Sequence, residues 1–412
     1  MLNKLNYIDL FAGAGGLSEG FTRQGYNPIA HIEMNVNACE TLKTRSVFHY
    51  LQKENKLDIY SEYLKGNIDR NILWNSVPKW VIDSTINKEI SEATVEDLFI
   101  EVDKLKQAKK IDLIIGGPPC QAYSIVGRAR DPQHMRGDMR NYLYKYYLKF
   151  LNKYQPEMFV FENVPGLLTA KSGEYFRNII KGIEDAGYKV NYKILLASNY
   201  RVLQNRKRVI IIGWKKGTNH IYPNIQVYDN PYQVLKDLFY DLPKRKPGEG
   251  KLREKVEYID ILNNYLKSTG IRGVLNFTTQ HIARPQNKTD LKIYKLAIAM
   301  WLDRKQRLNY AKLDPKLQKH NNKKSFLNRF QVVNNDGCCH TVVAHIAMDG
   351  HYYIYPSLEQ VRSITIREAA RLQSFPDDYF FEGSRTSAFK QIGNAVPVLL
   401  AEEIAKAIKK QF

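Results

Sequence analysis

Short apolar runs alternate with segments of helical apolar spacing through the first half of the chain. Tyr7-Ile8-Asp9-Leu10-Phe11 predicts a strand, followed by a glycine turn and a helix near residues 17–23. Residues 29–33 predict a second strand, with a helix through residues 38–42 behind it. Further strands are predicted at 111–115, 158–162, 192–196 and 209–213. Between them, Leu143, Tyr146, Tyr147, Phe150, Leu151 and Tyr154 share one helical face, as do Phe176, Ile179, Ile180 and Ile183. This alternation predicts an α/β fold with a doubly wound, mostly parallel sheet.

Two stretches break the rhythm. Residues 51–110 are polar and lysine-rich, and read as a partly helical insertion beside the ligand-binding side of the sheet. After Trp214 the pattern becomes irregular and tyrosine-rich, with a linker-like run at residues 244–250. An amphipathic helix returns only at residues 398–408. The division expected is a catalytic domain at 1–215, completed by 388–412, a second domain at 216–361, and a hinge with a connecting helix at 362–387.

Composition narrows the class. The 412 residues are 44% hydrophobic and 25% charged, as in an ordinary globular protein. No apolar run reaches the length of a membrane span, and the start of the chain does not resemble a signal peptide. The four cysteines (Cys39, Cys120, Cys338 and Cys339) lack C-x-x-C spacing, so neither zinc nor a disulfide framework is expected, and a reducing cytoplasm fits. The net charge of +20 points to a polyanionic partner. Its distribution is uneven: residues 244–329 hold 21 Lys/Arg against 7 Asp/Glu.

Several segments carry candidate chemistry. Gly116-Gly117-Pro118-Pro119-Cys120-Gln121 follows a buried strand, so Cys120 stands where open α/β sheets bind ligands. Two prolines stiffen the approach and the glycines admit close neighbours. Asp9 to Leu17 form a strand, a glycine turn and a helix start, with Ser18 in place of a third fingerprint glycine. Glu33 ends the next strand and can accept from a ribose diol; these residues alone leave a nicotinamide and S-adenosylmethionine both open. Glu162 ends a strand on the same sheet edge and can act as a proton donor if held partly dry. Arg206 and Arg208 lie two apart before the strand at 209–213, which would put them on one face. Pro397 suits the first turn of the last helix, with Asn394 just before it, and Thr365 and Glu368 have capping-box spacing.

Taken in order, residues 9–17, Glu33, 117–124, 161–164, 204–208, 362–376 and 391–397 resemble the DNA (cytosine-5) methyltransferases of bacterial restriction–modification systems. The resemblance implies a Rossmann-like domain binding S-adenosylmethionine, and a smaller, irregular target-recognition domain at 216–361. It implies that Cys120 attacks C6 of a flipped-out cytosine, that Glu162 serves N3, and that Arg208 holds O2. Arg206 would support Glu162 or a phosphate. The cofactor would meet Asp9, Phe11, Gly13, Gly15, Gly16, Leu17, Glu33, Met34, Glu89, Pro118, Leu143, Asn394, Ala395 and Val396. Among these, Phe11 would stack near the adenine, and Leu143, Asn394 and Val396 would line the methionine side. Met34 stands where the family often has a larger ring. Glu89 is preferred to Asp69 for the adenine amine because it lies closer to the cysteine strand.

The partner implied is double-stranded DNA, met by Gln121, Ser124, Arg128 and Thr341, with residues 123–140 closing over it. A cognate restriction endonuclease acting separately, a monomeric state and a bacterial cytoplasmic location also follow from the resemblance. Two alternatives are a tRNA cytosine-5 methyltransferase on the same catalytic domain and a DNA-binding protein that has lost catalysis. The long basic region argues against the first, and intact Cys120, Glu162 and Arg208 against the second.

Overall fold

The computed structural model describes residues 4–119, 142–319 and 325–412. The strands described up to residue 215 are β1 (Asn6–Leu10), β2 (Asn27–Glu33), β3 (Thr85–Asn87), β4 (Leu113–Gly116), β5 (Met158–Asn163), β6 (Tyr188–Leu196), β7 (Gln204–Asn205) and β8 (Lys207–Lys215). Seven of them form one sheet in the order β3-β2-β1-β4-β5-β8-β6. β3, β2, β1, β4 and β5 are mutually parallel, and β8 runs antiparallel to both β5 and β6. The mostly parallel α/β sheet expected from the alternation is present.

Alternate residues of each central strand face opposite layers. Tyr7, Leu113, Ile115, Met158, Val160, Ile210 and Ile212 enter one apolar cluster. Ile8, Leu10, Ile114, Phe159, Phe161, Val209 and Ile211 enter the other. Strands buried on both faces must be continuously apolar, which is why they stood out in the sequence. The first cluster also takes in Leu266, Ile364, Leu399 and Ile408, so apolar packing crosses the division expected at residue 216. A separate cluster around Tyr294, Tyr310 and Phe330 serves the residues from 291 to 361.

Two expectations change. The strand at 209–213 belongs to β8, which turns back between β5 and β6 instead of continuing the parallel series. Only residues 197–206 separate β6 from β8, fewer than a parallel crossover needs, so an antiparallel return is the available connection. The segment 51–110 is not a simple insertion, because it contains the edge strand β3. Its three residues, with Asn87 exposed, are too few for an apolar run to reveal. The helices Leu57–Lys65, Arg70–Asn75 and Lys79–Asp83 pack on the helix Val36–Lys53 and against Phe277 and Phe380. No helix among the described residues is long and apolar enough to cross a membrane.

The segment expected as a hinge is buried without interruption from residue 360 to residue 382. Its helix Ile366–Leu372 carries the complete Thr365/Glu368 capping box. Arg371 bonds to Asp241 at 2.5 Å and to Asp377 at 2.5 Å, all three fully buried. Arg362 pairs with Glu368 at 2.7 Å, and Arg367 donates to the carbonyls of Thr279, Pro376 and Tyr379. Charges this deep hold only while every partner stays in place.

Arg371→Met is therefore expected to destabilise the fold by about 3–5 kcal/mol, because it leaves the buried Asp241 and Asp377 without their shortest cationic partner; equilibrium urea unfolding measures it. Burial pushes His31, His281 and His340 down to about 4. A depressed folded value contributes stability above the free value near 6.5, and that stability is lost as pH falls toward 4. His281 bridges Thr365 and the Pro243 carbonyl. His281→Gln should flatten the loss of unfolding free energy between pH 7 and pH 5, and an unchanged slope would remove His281 from the account.

Candidate active site

The carboxyl ends of β1, β2, β4 and β5 share one edge of the sheet, where a parallel arrangement collects its loops. Past β1 the backbone turns through positive φ at Phe11 (57°), Gly13 (55°) and Gly15 (77°) into the helix Gly16–Arg23. A side chain on Gly13 would meet no atom within 4 Å, so the turn borders open space.

Glu33 closes that space from β2. Its Oε2 accepts from the Gly13 amide at 2.9 Å and its Oε1 from the Asn35 amide at 2.8 Å. Asn35 caps the helix Val36–Lys53, and Asn87 at the end of β3 donates to the carbonyls of Glu33 and Met34. Glu89 follows β3 by two residues and is exposed, and Met34 is 61% exposed. Asp9 is 1% exposed, and its Oδ2 has no hydrogen-bond partner among the described residues. Burial, reinforced by the nearby Glu33 charge, holds the Asp9 carboxyl well above the usual carboxylate range.

The opposite wall comes from the last helices. Gly16 approaches so closely that a Cβ would stand 2.3 Å from the Val396 carbonyl oxygen. Leu17, Ala395 and Val396 are buried there, while Asn394 is exposed at the end of the helix Arg385–Asn394. Leu143 is half-buried at the start of the helix Leu143–Tyr154.

β4 ends at Gly116 and continues through Gly117, Pro118 and Pro119. Cys120, Gln121, Ser124 and Arg128 lie outside the described residues, as does the segment 123–140. Beside this exit stands Glu162, whose Oε1 lies 2.5 Å from the Nε of Arg208. Their side chains are 14% and 11% exposed, dry enough to strengthen the pair yet open to a ligand. A Cβ on Gly117 would stand 2.6 Å from Glu162 Oε2, so only glycine leaves the carboxylate its place. Asn163 donates to the Pro118 carbonyl at 3.3 Å, tying β5 to the same exit.

Arg206 departs from its expected role. It is fully buried and donates to the carbonyls of Val342 (2.5 Å), Gly393 (3.2 Å) and Ala395 (2.9 Å). The Arg206 amide bonds the Gln204 carbonyl, which makes a tight turn between β7 and β8. That turn ends the extended register, so Arg206 and Arg208 do not share a face. Arg208, expected to hold the cytosine O2, pairs with Glu162, while Arg206, expected to support Glu162 or a phosphate, meets backbone carbonyls instead. Thr341 lies near β7, with its hydroxyl on the Asn205 carbonyl at 2.6 Å. Both residues line a cleft of about 350 Å³ with Trp301, Arg307, Asn334 and His340.

Residues that sequence reasoning missed are Asn163, Gln204 and Gln373. Gln204 and Gln373 are fully buried and bonded to each other at 2.9 Å. The signal available was a long polar side chain at a position otherwise reading as core. As a whole the edge offers open space at Gly13 flanked by Glu33, the Gly16 turn packed on Val396, and a carboxylate–guanidinium pair beside Gly117, three residues before Cys120 in the chain.

A family model described as C-5 cytosine-specific DNA methylase matches residues 5–78 and 79–410. The type II methyltransferase M.Bpa9945I of Bacillus paralicheniformis is 40% identical, with 98% of each chain covered. The type II methyltransferase M.DdeI of Desulfomicrobium norvegicum is 32% identical over 99% of this chain and 89% of its own. Among solved structures, an E. coli protein described as a prophage-encoded DNA modification methyltransferase superposes with a TM-score of 0.65 at 22% identity, with 99% of both chains covered.

Proposed function

We propose a mechanism for a chain that belongs to the C-5 cytosine-specific DNA methylase family and is a DNA (cytosine-5) methyltransferase of the type II restriction–modification kind. It acts on one cytosine within a short sequence of double-stranded DNA, turned out of the helix because C5 is out of reach in the stack. The observation that carries the reading is the Glu162–Arg208 pair standing over Gly117 on the path to Cys120.

The residues around the Gly13 turn suit S-adenosylmethionine. Open space borders Gly13, and the Glu33 carboxylate is held at its rim by two amides, as a ribose diol requires. Glu89 follows the strand that pairs with Glu33, which supports it over Asp69 as the adenine contact. Asp9, Phe11, Gly15, Gly16, Leu17, Met34, Pro118, Leu143, Asn394, Ala395 and Val396 would complete the walls. Bound there, S-adenosylmethionine supplies an electrophilic methyl group and leaves as S-adenosylhomocysteine.

Cytosine C5 is a poor nucleophile. The Cys120 thiolate adds to C6, and the electron pair displaced from the ring double bond makes C5 reactive. A proton carried between the Glu162 carboxylate and N3, taken up from solvent as the base enters, hydrogen-bonds the two and balances the charge that develops on the ring. Arg208 orients Glu162 and offers its remaining N–H groups to O2 of the base. Once C5 carries the methyl group it gives up its proton to a water molecule acting as base, the C–H electron pair re-forms the double bond and the Cys120 sulfur leaves as thiolate. Thr341 and the basic residues of 244–329 serve the duplex.

A duplex with 5-fluorocytosine at the target should become covalently trapped, because fluorine cannot leave C5 as a proton does. Denaturing gels with S-adenosylmethionine present check this. Cys120→Ser should form no adduct and lose turnover on the order of 10⁴-fold or more, while still binding S-adenosylhomocysteine. Glu162→Gln should lower kcat by about 10²- to 10⁴-fold in single-turnover assays. Labelled methyl transfer to duplex DNA and to tRNA separates substrates, and product on tRNA alone, or on neither, rejects the reading. Duplex affinity should fall steeply between 50 and 200 mM salt, as counterion release requires.

A further inference from the structure

One guanidinium holds two distant stretches of chain together. Arg206 Nη1 donates to the Val342 carbonyl, and Nη2 to those of Gly393 and Ala395. Both stretches are tied a second time. The Val342 amide donates to Gln204 Oε1 at 2.8 Å, and Gln373 Nε2 donates to the Ala395 carbonyl at 3.1 Å. Gln204 and Gln373 bond each other, which closes the network, and all three side chains are fully buried. The stretches also touch directly, since a Cβ on Gly393 would stand 2.4 Å from the Ala344 amide nitrogen.

Each end of the network borders a surface with a different task. Val342 follows Thr341, which lines the polar cleft with Arg307, Asn334 and His340. Ala395 precedes Val396, whose carbonyl lies against Gly16 in the turn beside Glu33. Two residues beyond Arg206, Arg208 holds Glu162. A planar guanidinium presents its donors in a fixed fork, so it sets the distance between the carbonyls it bridges. A shift of either stretch would strand buried carbonyls, so the two are ordered together.

We propose that Arg206 is a positioning residue that couples occupancy of the Thr341 cleft by duplex DNA to occupancy of the space at the Gly13 turn by the cofactor. A ligand at one end fixes Val342 or Ala395, and through Arg206 the other end is already ordered when the second ligand arrives. The inference rests on the function proposed above.

The test is thermodynamic linkage, which needs no turnover. The affinity of S-adenosylhomocysteine is measured with and without a short duplex carrying the site mapped by bisulfite sequencing, and the duplex affinity with and without S-adenosylhomocysteine. The two ratios must agree, and a coupling of about 5- to 150-fold is expected for the unaltered protein. Arg206→Lys keeps the charge but has a single ammonium that cannot span both stretches. It should bring the ratio to within about twofold of unity while each ligand alone binds within about threefold of normal. If Arg206→Lys does not fold, as judged by its melting transition, Gln373→Met removes the second tie to Ala395 and should lower the same ratio. An unchanged ratio in the folded variants, or a ratio of one in the unaltered protein with both ligands bound, overturns the coupling. Methyl transfer by the unaltered protein is assayed in parallel. Absence of duplex binding and of transfer there would instead sink the proposed function.

Discussion

The reversal of β8 is the constraint on which the active-site arrangement depends. Parallel strands deliver only their carboxyl ends to the ligand edge, and Arg208 lies at the amino end of its strand. Because β8 runs antiparallel to β5, Glu162 pairs in register with Ile210, and Arg208 emerges at the same edge as Glu162. A parallel β8 would carry Arg208 to the far side of the sheet. The short connection from β6 enforces the reversal, so a loop length sets the chemistry.

At the Glu33 end of this edge the contacts are made to the backbone. Glu33 accepts from a backbone amide with each oxygen, which orients it with no cation beside it among the described residues and leaves its other lone pairs to a ligand. Asp9 beneath it is buried, and one of its oxygens has no hydrogen-bond partner among the described residues, a cost tolerated at functional sites more readily than in a core. Both carboxylates lie close enough for the Glu33 charge to help raise the Asp9 value.

The rest of the molecule holds this edge against a less regular second half. Apolar packing crosses between the halves, and buried arginines add to it: Arg371 and Arg362 pair with carboxylates, while Arg367 and Arg206 hold backbone carbonyls. Strand ladders are scarce among the described residues after β8, where only two-residue strands occur. Guanidinium groups therefore satisfy many of the carbonyls that a sheet would otherwise pair.

The alternating apolar runs at 7–11, 113–115 and 158–161 were legible because strands buried on both faces need continuous apolar side chains. Glu33 and Glu162 were legible too, since each ends such a run. β3 was not, because three residues leave no periodicity to detect. Arg206 was read as a neighbour of Arg208, since spacing in sequence assumes an extended backbone that the turn at Gln204 breaks. By itself the sequence determined which residues are apolar, which strands they make and which polar groups sit at strand ends, because these follow from local pattern. Only the tertiary structure decided that Arg208 faces Glu162 while Arg206 faces Val342 and Ala395, because strand direction and contacts across 136 and 189 residues are set by packing and not by spacing.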